Sequence, residues 1–345
     1  MDISGIISSA YKELTGCSDF TILPLPRSGS DRRYFRIICG SESVIGAYNP
    51  DPEENEAFVG FTFHFREKSL PVPEIFYNLP EKRIYFLQDL GNSNLYTWLH
   101  ERSYSPDFDM ETKQLYRKIL DKLVLFQTDG IEGLDLELCY PHKSFDRQSM
   151  MWDMNYFKYM FLKLVAAPFN ERRLEHDFQN MADFLLEAGQ DYFLYRDFQT
   201  ANFMIVNEEP WFIDYQGGRK GAPQYDVASF LNDAKIRIAD NVKEELLDYY
   251  IMNFCAKTNT GYEKFRSYYA GFSMIRLMQA LGAFGFRGLY EQKPTFTESI
   301  IPAVQLLQQV IIKAEKDVRL DELYGAINAI TGTEKYKNLT GASHL

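Results

Sequence analysis

The periodicity of apolar residues changes near residue 91, and this change limits the chain to an architecture with two unlike parts. Before it, three short β runs lie between residues 20 and 48, and a hairpin of two more strands is predicted over residues 75–91. A segment with helical spacing, residues 56–70, is inserted between them. After Gly91, apolar residues recur at helical spacing, as in amphipathic helices that bury one face. The pattern predicts an α+β protein.

The same change sets the predicted domain boundaries. Residues 1–91 form a small β-rich lobe that begins with a helix over residues 3–15, and residues 92–330 form a larger, mainly helical lobe. Residues 331–345 are polar and form a frayed tail. A chain of 345 residues is long enough for two folding units, each with its own core.

Charge and composition exclude several classes of function. Lys and Arg number 37 against 48 Asp and Glu, a net charge of −11, which argues against a protein that wraps nucleic acid. The five histidines are dispersed, so a His-rich metal site or a Ser-His-Asp hydrolase is hard to build. No cysteine pair has zinc-site or redox spacing, and four reduced cysteines are expected. These cysteines are Cys17, Cys39, Cys139 and Cys255.

The chain shows no sign of a targeting or membrane segment. Its first residues lack a basic region and an apolar core, so no signal peptide is expected. No run approaches 18 consecutive apolar residues, so no transmembrane helix is expected either. These features predict a cytoplasmic protein without a membrane partner; its oligomeric state is left open.

A predicted hairpin in the second lobe brings oxygen-bearing side chains together. The apolar runs FMIV and WFID flank a turn at residues 207–210, and folding about that turn places Asn202 opposite Tyr215. Asp214 then lies beside Asn202 at the open end of the hairpin, and Asp197 lies five residues upstream of Asn202.

The residue types at this open end fit phosphoryl-transfer chemistry. Mg²⁺ takes oxygen ligands, often one or two carboxylates with substrate phosphates, and Asn202 and Asp214 supply an amide oxygen and a carboxylate. Asp197 would accept or orient the proton of an attacking hydroxyl. The spacing D-x-x-x-x-N followed by Asp on the next strand matches the kinase template. The alternative is a pair of ordinary turn residues, since Asp and Asn are favoured in turns.

Three motifs in this region, YRDFQTAN, IDYQGG and YDVASFL, resemble the aminoglycoside phosphotransferase and choline kinase group, whose fold is similar to that of protein kinases. The closer resemblance is to its branch of cell-wall sugar phosphotransferases, which includes anomeric kinases of N-acetylmuramate and N-acetylglucosamine. The resemblance covers about residues 20–310. The motifs that indicate this branch are SGSDRRYFRI, ENEAFVGF, LQDLG, FDRQSMMWDMNYF and IRLMQALGAFGFRGL.

The resemblance implies a bilobal, protein-kinase-like fold and an ATP- and Mg²⁺-dependent kinase of a small hydroxyl compound. The first lobe would bind nucleotide, and the second would carry catalysis and the acceptor. Asp197 would be the catalytic base, and Asn202 and Asp214 the Mg²⁺ ligands. The other implied nucleotide residues are Ser28, Gly29, Ser30 and Asp31 of a phosphate-covering loop, Arg33, and Asp89 and Leu90 of the hinge. A plain hairpin turn is the alternative for the SGSD loop.

On the acceptor side, Asp153 and Arg219 are implied as substrate residues, with Lys220 as a further candidate. For Arg219 and Lys220, which lie in the run GGRK just past Asp214, a solvated loop charge is the alternative. Asp226 is expected to brace the catalytic loop through hydrogen bonds.

The chain departs from the family pattern in two places. The third strand, SVIGAY, lacks the kinase lysine, so Arg32, Arg33 or Arg36 of the preceding strand would take its place. A glutamate of the inserted helix, Glu56 or alternatively Glu54, would pair with one of these arginines. The usual His at the start of the catalytic loop is Tyr195, an aromatic residue that can still support the loop by hydrogen bonding.

The predicted acceptor is an amino sugar or sugar derivative of cell-wall metabolism. Choline, ethanolamine, homoserine and aminoglycosides are the alternative acceptors, and a nucleotide-binding protein without catalysis is an alternative of another class. A protein kinase is excluded, because Tyr225 follows Asp214 by only eleven positions, too few for an ordinary activation segment.

Overall fold

The computed structural model describes residues 2–26 and 31–339. Its first lobe is a five-stranded antiparallel sheet with two helices, which confirms the predicted strands, the helix at 3–15 and the inserted helix. The strand order is β1-β2-β3-β5-β4. The elements are α1 (Ile3–Thr15), β1 (Thr21–Pro24), β2 (Arg33–Cys39), β3 (Glu42–Tyr48), α2 (Pro52–Glu67), β4 (Ile75–Leu79) and β5 (Ile84–Gln88).

Helix α2 begins at Pro52, four residues before its predicted start, because the connector carries a complete N-terminal cap. The Asp51 side chain accepts hydrogen bonds from the backbone N–H groups of Glu53 and Glu54, at 3.0 and 3.2 Å. Proline is well suited to the first helical position, where no N–H is needed. The earlier start places Glu54 in the first turn of the helix, where it contacts Asn49, the residue after β3.

The two helices cover opposite faces of the sheet. Helix α1 packs through Ile7 against Phe35 and Ile37 of β2. A Cβ on Gly46 of β3 would lie 2.8 Å from the Ile7 side chain, so α1 could not sit this close if position 46 had a side chain. Helix α2 packs on the other face, against Ile45, Ala47 and Tyr85, in a core that continues into the second lobe. Because both faces are buried, the strands are apolar on both sides.

Cys17 and Cys39 form a disulfide, so the expectation of four reduced cysteines is wrong for this pair. The chain leaves α1 through Gly16 and enters β1, where Thr21 lies opposite Ile38 of β2. That pairing brings the segment after α1 next to the end of β2, although the cysteines are 22 residues apart in sequence. Cys139 and Cys255 are free thiols.

The second lobe is mainly helical, as predicted. Within the described chain, no helix is both long and apolar enough to cross a membrane. Residues 334–339 of the predicted polar tail form a short helix, in which Tyr336 is buried. The helices are α3 (Leu95–Glu101), α4 (Met110–Thr128), α5 (Arg147–Phe157), α6 (Glu171–Leu186), α7 (Gln224–Leu231), α8 (Asp240–Thr258), α9 (Tyr262–Phe284), α10 (Pro294–Thr297), α11 (Ile300–Ala314), α12 (Asp321–Ala329) and α13 (Glu334–Leu339).

Two small antiparallel strand pairs sit among these helices. They join β6 (Tyr192–Leu194) with β9 (Arg219–Gly221), and β7 (Phe203–Val206) with β8 (Glu209–Phe212). The loops that link them carry the predicted catalytic and metal residues. Helix α9 runs through the core of the lobe and packs against α5, α7 and α11, which fixes the helices that surround these loops.

Candidate active site

The hairpin of β7 and β8 has a tighter turn than predicted. Phe203 lies opposite Phe212, and Asn207 and Glu208 form a two-residue turn with φ angles of 52° and 63°. Left-handed residues at both positions match the twist of a hairpin, so Glu209 and Pro210 belong to β8 rather than to the turn. The predicted register is therefore wrong by two residues, and Asn202 lies opposite Ile213, whose N–H bonds its carbonyl oxygen at 3.1 Å.

The catalytic-loop segment is held by buried carboxylates. Asp226 of α7 accepts hydrogen bonds from the backbone N–H groups of Tyr195 and Arg196, at 2.8 and 3.0 Å, which confirms its predicted bracing role. Asp233 accepts bonds from the N–H and the hydroxyl of Thr200, at 3.1 and 2.6 Å. Burial raises the pKa of Asp226 to about 7, although the two backbone amides act in the opposite direction. Both ends of the loop are thus fixed to the segment that follows β9.

Tyr195 supports the loop in the manner expected of an aromatic hydrogen-bonding residue. Its side chain is fully buried, and its hydroxyl donates to the carbonyl oxygen of Ile213 at 2.6 Å. The neighbouring Tyr215 ring stacks on Phe58 of α2, and its hydroxyl lies 2.5 Å from that of Thr62. Asp214 is therefore held between one residue anchored to the catalytic loop and another anchored to the first lobe.

The structure brings Asp197, Asn202 and Asp214 together. Asn202 Nδ2 donates to the backbone carbonyl of Asp197 at 2.8 Å and lies 3.3 Å from Asp214 Oδ2. Gln216 Nε2 donates to Asp214 Oδ1 at 2.8 Å. Asp214 has a φ of 68°, a strained conformation for a residue with a side chain. The loop geometry thus points this carboxylate at Asn202.

The oxygen ligands offered by Asn202 and Asp214 fit Mg²⁺. Because Asn202 Nδ2 is engaged by the Asp197 carbonyl, the amide oxygen Oδ1 is the atom available to a cation. With the Asp214 carboxylate it gives two oxygen ligands, and Mg²⁺ normally completes its shell with waters and substrate phosphates. Among residues 2–26 and 31–339, no group of three or more His, Cys, Asp or Glu side chains could hold a metal ion. Asn202 and Asp214 can therefore form a Mg²⁺ site in which the phosphates of a substrate supply further ligands.

The Asp197 carboxylate is free to act as an acceptor. No described residue donates a hydrogen bond to it, although its backbone carbonyl is bonded by Asn202. Burial and the nearby negative charge of Asp214 raise the pKa of Asp197, while Arg276, Arg196 and Arg219 oppose that rise. A carboxylate that is partly desolvated and has no hydrogen-bond donor is suited to taking a proton.

Three arginines surround Asp197, and only one of them has a carboxylate partner. Arg196 makes two hydrogen bonds to Asp153, at 2.6 and 2.7 Å, and this pair is largely buried. Arg219 donates to the backbone carbonyls of Gly217 and Tyr140. The pKa of Arg219 is lowered to about 10 by burial and by Arg196.

The third arginine, Arg276 of α9, is buried beside α7. It donates to Ser229 Oγ at 2.8 Å and to Gln279 Oε1 at 2.9 Å. In the described part of the chain, neither Arg219 nor Arg276 forms an ion pair with a carboxylate. Two of the three arginines near Asp197 are therefore not neutralised by an ion pair among the described residues.

The predicted substrate residues occupy different positions. Asp153 forms an ion pair with Arg196 and so positions the residue before Asp197. Arg219 is one of the three arginines near Asp197. Lys220 alternates to the other side of β9 and pairs with Asp191 at 2.6 Å, away from this cluster. The sequence reasoning did not single out Arg196 and Arg276. Arg276 falls inside a motif that indicated the family branch, but its burial could not be inferred from that motif.

A cleft of about 370 Å³ lies between the lobes, and one end of it reaches the Asn202–Asp214 pair. Its walls are largely apolar, as suits a flat base, and the predicted hinge residues Asp89 and Leu90 line it. The lining residues include Leu25, Ile45, Phe58, Leu87, Met204 and Ile213.

The side chain of Asp89 holds the hinge and does not project freely into the cleft. Arg36 donates to both of its carboxylate oxygens, at 2.5 and 2.8 Å, and also to the carbonyl of Gly91 at 3.0 Å. Burial raises the pKa of Asp89, but the hydrogen bonds from Arg36, the Gly91 N–H and Ser43, together with the charge of Arg36, outweigh burial and lower this pKa. The Asp89 carboxylate is therefore already engaged and is not free to bind a ligand.

The remaining predicted nucleotide residues are not gathered at the cleft. Ser28, Gly29 and Ser30 lie outside the described residues, and Asp31 is exposed just before β2. Arg33 is on the strand face that it shares with Phe35 and Ile37, which pack against α1, so the structure does not bring it to the cleft. Glu54, not Glu56, pairs with an arginine, because Arg32 contacts it at 3.0 Å while Glu56 is exposed.

Comparison with known proteins identifies the family and the fold. The family model described as "Phosphotransferase enzyme family" matches residues 21–268. An N-acetylmuramate/N-acetylglucosamine kinase of Neisseria meningitidis is 24% identical over 327 residues, 92% of each chain. Solved structures with the same fold include an ethanolamine kinase of Plasmodium vivax, with a TM-score of 0.64 and 11% identity over 90% of this chain and 89% of that one.

A choline kinase of Streptococcus pneumoniae also has this fold, with a TM-score of 0.58 and 12% identity over 92% of this chain and all of that one. The neighbours have the bilobal, protein-kinase-like architecture that the sequence predicts. With its family match and kinase relatives, the chain is a small-molecule kinase and belongs to the phosphotransferase enzyme family.

Proposed function

We propose that this kinase transfers the γ-phosphate of ATP to a hydroxyl of an amino sugar or a sugar derivative. The observation that carries the proposal is the Asp197 carboxylate, which has no hydrogen-bond donor within the described chain. Asn202 bonds the backbone carbonyl of Asp197 and lies with Asp214 at the end of the cleft. Asp197 accepts the proton of the acceptor hydroxyl as its oxygen attacks phosphorus. General base catalysis of this kind contributes on the order of 10²–10⁴-fold.

Asn202 and Asp214 would hold Mg²⁺, whose chemistry is to neutralise phosphate charge. Tyr195 and Asp226 keep the loop in place, so that the proton acceptor and the metal ligands stay in register. Arg196 has a left-handed backbone conformation, with a φ of 80°, and its side chain is fixed by Asp153. These contacts hold the backbone immediately before Asp197 in place. Positioning and charge neutralisation are the main contributions a protein makes to phosphoryl transfer.

The two arginines near Asp197 that lack ion-pair partners favour a neutral or anionic acceptor over a cationic one. Arg219 and Arg276 carry buried positive charge without carboxylate partners among the described residues, and the charge of Asp153 is cancelled by Arg196. A choline or aminoglycoside acceptor would bring further positive charge into this site, at an energetic cost. The relative named as an N-acetylmuramate/N-acetylglucosamine kinase supports the same acceptor class.

The test is an ADP-release assay across a panel of acceptors. N-acetylmuramate, N-acetylglucosamine and their parent sugars are compared with choline, ethanolamine, homoserine and an aminoglycoside. We expect turnover with one or more sugars, and ³¹P NMR of the product identifies the phosphorylated hydroxyl. Turnover confined to a cationic amine would contradict the proposal, as would ATP binding without transfer to any acceptor.

Variants assign the residues within the same assay. Asp197→Asn should abolish turnover and leave ADP binding intact, and Asp214→Ala should abolish the Mg²⁺-dependent part of nucleotide binding measured by calorimetry. Asp191→Asn, which changes an exposed carboxylate immediately before β6, is the matched control and should behave as wild type. Full activity in Asp197→Asn would exclude its role as the base.

A further inference from the structure

The third strand of the first lobe offers no cation to a nucleotide. Its sequence is ESVIGAY, and the residues of β3 in the core shared with α2 are Ile45 and Ala47. Phosphoryl transfer needs positive charge on the β- and γ-phosphates, which kinases supply with a lysine on this strand. Another element must therefore provide it if the cleft binds ATP.

Arg32, which immediately precedes β2, lies at the junction of the lobes. Its Nη2 is 3.0 Å from Glu54 Oε1 of α2 and 2.9 Å from Asp214 Oδ1 of the second lobe. The side chain is only 8% exposed. One guanidinium group thus contacts both the first turn of α2 and the carboxylate assigned above to Mg²⁺.

Glu54 is itself fixed in place by a second residue. Arg33, the first residue of β2, pairs with Tyr48, the last residue of β3. Arg32, just before β2, and Asn49, just after β3, are therefore neighbours. Asn49 Nδ2 donates to Glu54 Oε2 at 2.7 Å, while Arg32 binds Oε1. Both carboxylate oxygens are used, and the guanidinium is held from one side.

The guanidinium keeps hydrogen-bonding capacity that the described residues do not fill. Contacts with Glu54, Asp214 and Tyr34 Oη use three of the five N–H donors of an arginine. Its Nε is buried without a hydrogen-bond partner. A buried, unpaired donor on a charged group is costly, and it is expected where a ligand supplies the missing acceptor.

The two arginines within β2, Arg33 and Arg36, are not available for this role. Arg36 is committed to Asp89, Asn92 and the carbonyl of Gly91 at the hinge. Arg33 lies on the strand face that packs against α1. Arg32 alone, of these three candidates, contacts Asp214, which lines the metal end of the cleft, and it keeps hydrogen-bond donors that no described residue uses.

We propose that Arg32 binds the nucleotide phosphates in place of the missing strand lysine, with Glu54 and Asn49 holding its guanidinium. In this arrangement the cation comes from the residue before the second strand instead of from the third strand, and its glutamate partner is still on the inserted helix. This inference rests on the proposed function, because it supposes that the cleft binds ATP.

The test compares Arg32→Ala and Arg32→Lys with Arg33→Ala, a matched control that removes the neighbouring arginine from the opposite face of the strand. Dissociation constants for Mg·ATP, Mg·ADP and adenosine are measured by calorimetry, without an acceptor. Loss of charge-assisted hydrogen bonds should weaken ATP and ADP binding by about 10- to 100-fold in Arg32→Ala. Adenosine, which has no phosphate, should bind as it does to wild type.

Arg32→Lys should recover part of the lost affinity, and Arg33→Ala should match wild type for all three ligands. Unchanged ATP affinity in Arg32→Ala would overturn the inference, as would an equal loss for adenosine, which would indicate damage to the cleft. If Arg32→Ala does not fold because Glu54 loses its counter-ion, the Arg32→Ala/Glu54→Gln double variant removes both charges and gives the same comparison. Failure of the acceptor assay with normal wild-type ATP binding would count against the proposed function alone.

Discussion

The hydroxyl of Tyr195 donates a 2.6 Å hydrogen bond to the carbonyl oxygen of Ile213, the residue before Asp214. This bond links the segment that carries Asp197 to the segment that carries Asp214, across 18 residues of sequence. A histidine is usual at this position in the aminoglycoside phosphotransferase and choline kinase group, and here the phenol of Tyr195 supplies the hydrogen-bond donor. The position of Asp214 thus depends on a residue that never touches a substrate.

Tyr195→Phe should lower the stability of the protein and weaken catalysis. Removing the hydroxyl leaves the partly buried Ile213 carbonyl without its donor, which costs about 1 kcal/mol. Chemical denaturation followed by tryptophan fluorescence measures the loss, and kcat is measured on the same preparation. Tyr116→Phe is the matched control, because the Tyr116 hydroxyl is buried without a partner and its removal should be neutral or stabilising. Equal effects of the two variants would contradict the bracing role.

Asp153→Asn should destabilise the fold and reduce turnover. The change removes the charge that balances buried Arg196, and breaking a buried pair in this way costs about 3–5 kcal/mol. Because Arg196 precedes Asp197, kcat should fall as well. Asp183→Asn removes the partner of Arg147 on the surface and should cost less than about 1 kcal/mol. A wild-type denaturation midpoint for Asp153→Asn would show that the pair is dispensable.

Asp226 should make stability depend on pH. Its pKa is raised to about 7 by burial, above the value of 3.8 for an ordinary Asp, so between these two values the folded protein holds a proton that the unfolded chain releases. The stabilisation from this group is therefore complete below about pH 4 and is lost as the pH rises through 7. Free energies of unfolding measured from pH 5 to pH 8 should fall more steeply in wild type than in Asp226→Asn. Parallel curves would exclude an elevated pKa at this site.

The Cys17–Cys39 disulfide should stabilise the first lobe. Closing a loop of 22 residues restricts the unfolded chain by about 3 kcal/mol in the chain-entropy description. Reduction with dithiothreitol should lower the denaturation midpoint of wild type and have no effect on Cys17→Ser/Cys39→Ser. Cys139→Ser is the control, since that cysteine is free, and it should keep the sensitivity to reductant. The same midpoint with and without reductant in wild type would contradict the pairing.

Local patterns were sufficient to predict the two-lobe fold and the group Asp197, Asn202 and Asp214. These three residues are close in sequence, and the short loop and hairpin that join them leave little freedom in where they meet. The register of the hairpin was predicted wrongly because it depends on whether Asn207 and Glu208 turn as a pair, and a two-residue turn shifts every cross-strand partner. Asn202 and Asp214 still meet, since both lie past the paired strands.

Long-range packing decided the rest, and no local pattern reports it. Arg32 and Arg33 are adjacent and chemically identical in the sequence, yet strand alternation sends one to the metal end of the cleft and the other toward α1. Alternation did not distinguish them in advance, because both faces of this sheet are covered by a helix. The Cys17–Cys39 bond, the choice of Glu54 over Glu56, and the arginines behind Asp197 likewise depend on how separate elements pack. Residue types and their spacing were enough to predict which side chains can take part in phosphoryl transfer. Which of these side chains face one another follows from the packing, because side-chain direction depends on contacts between segments that are distant in the chain.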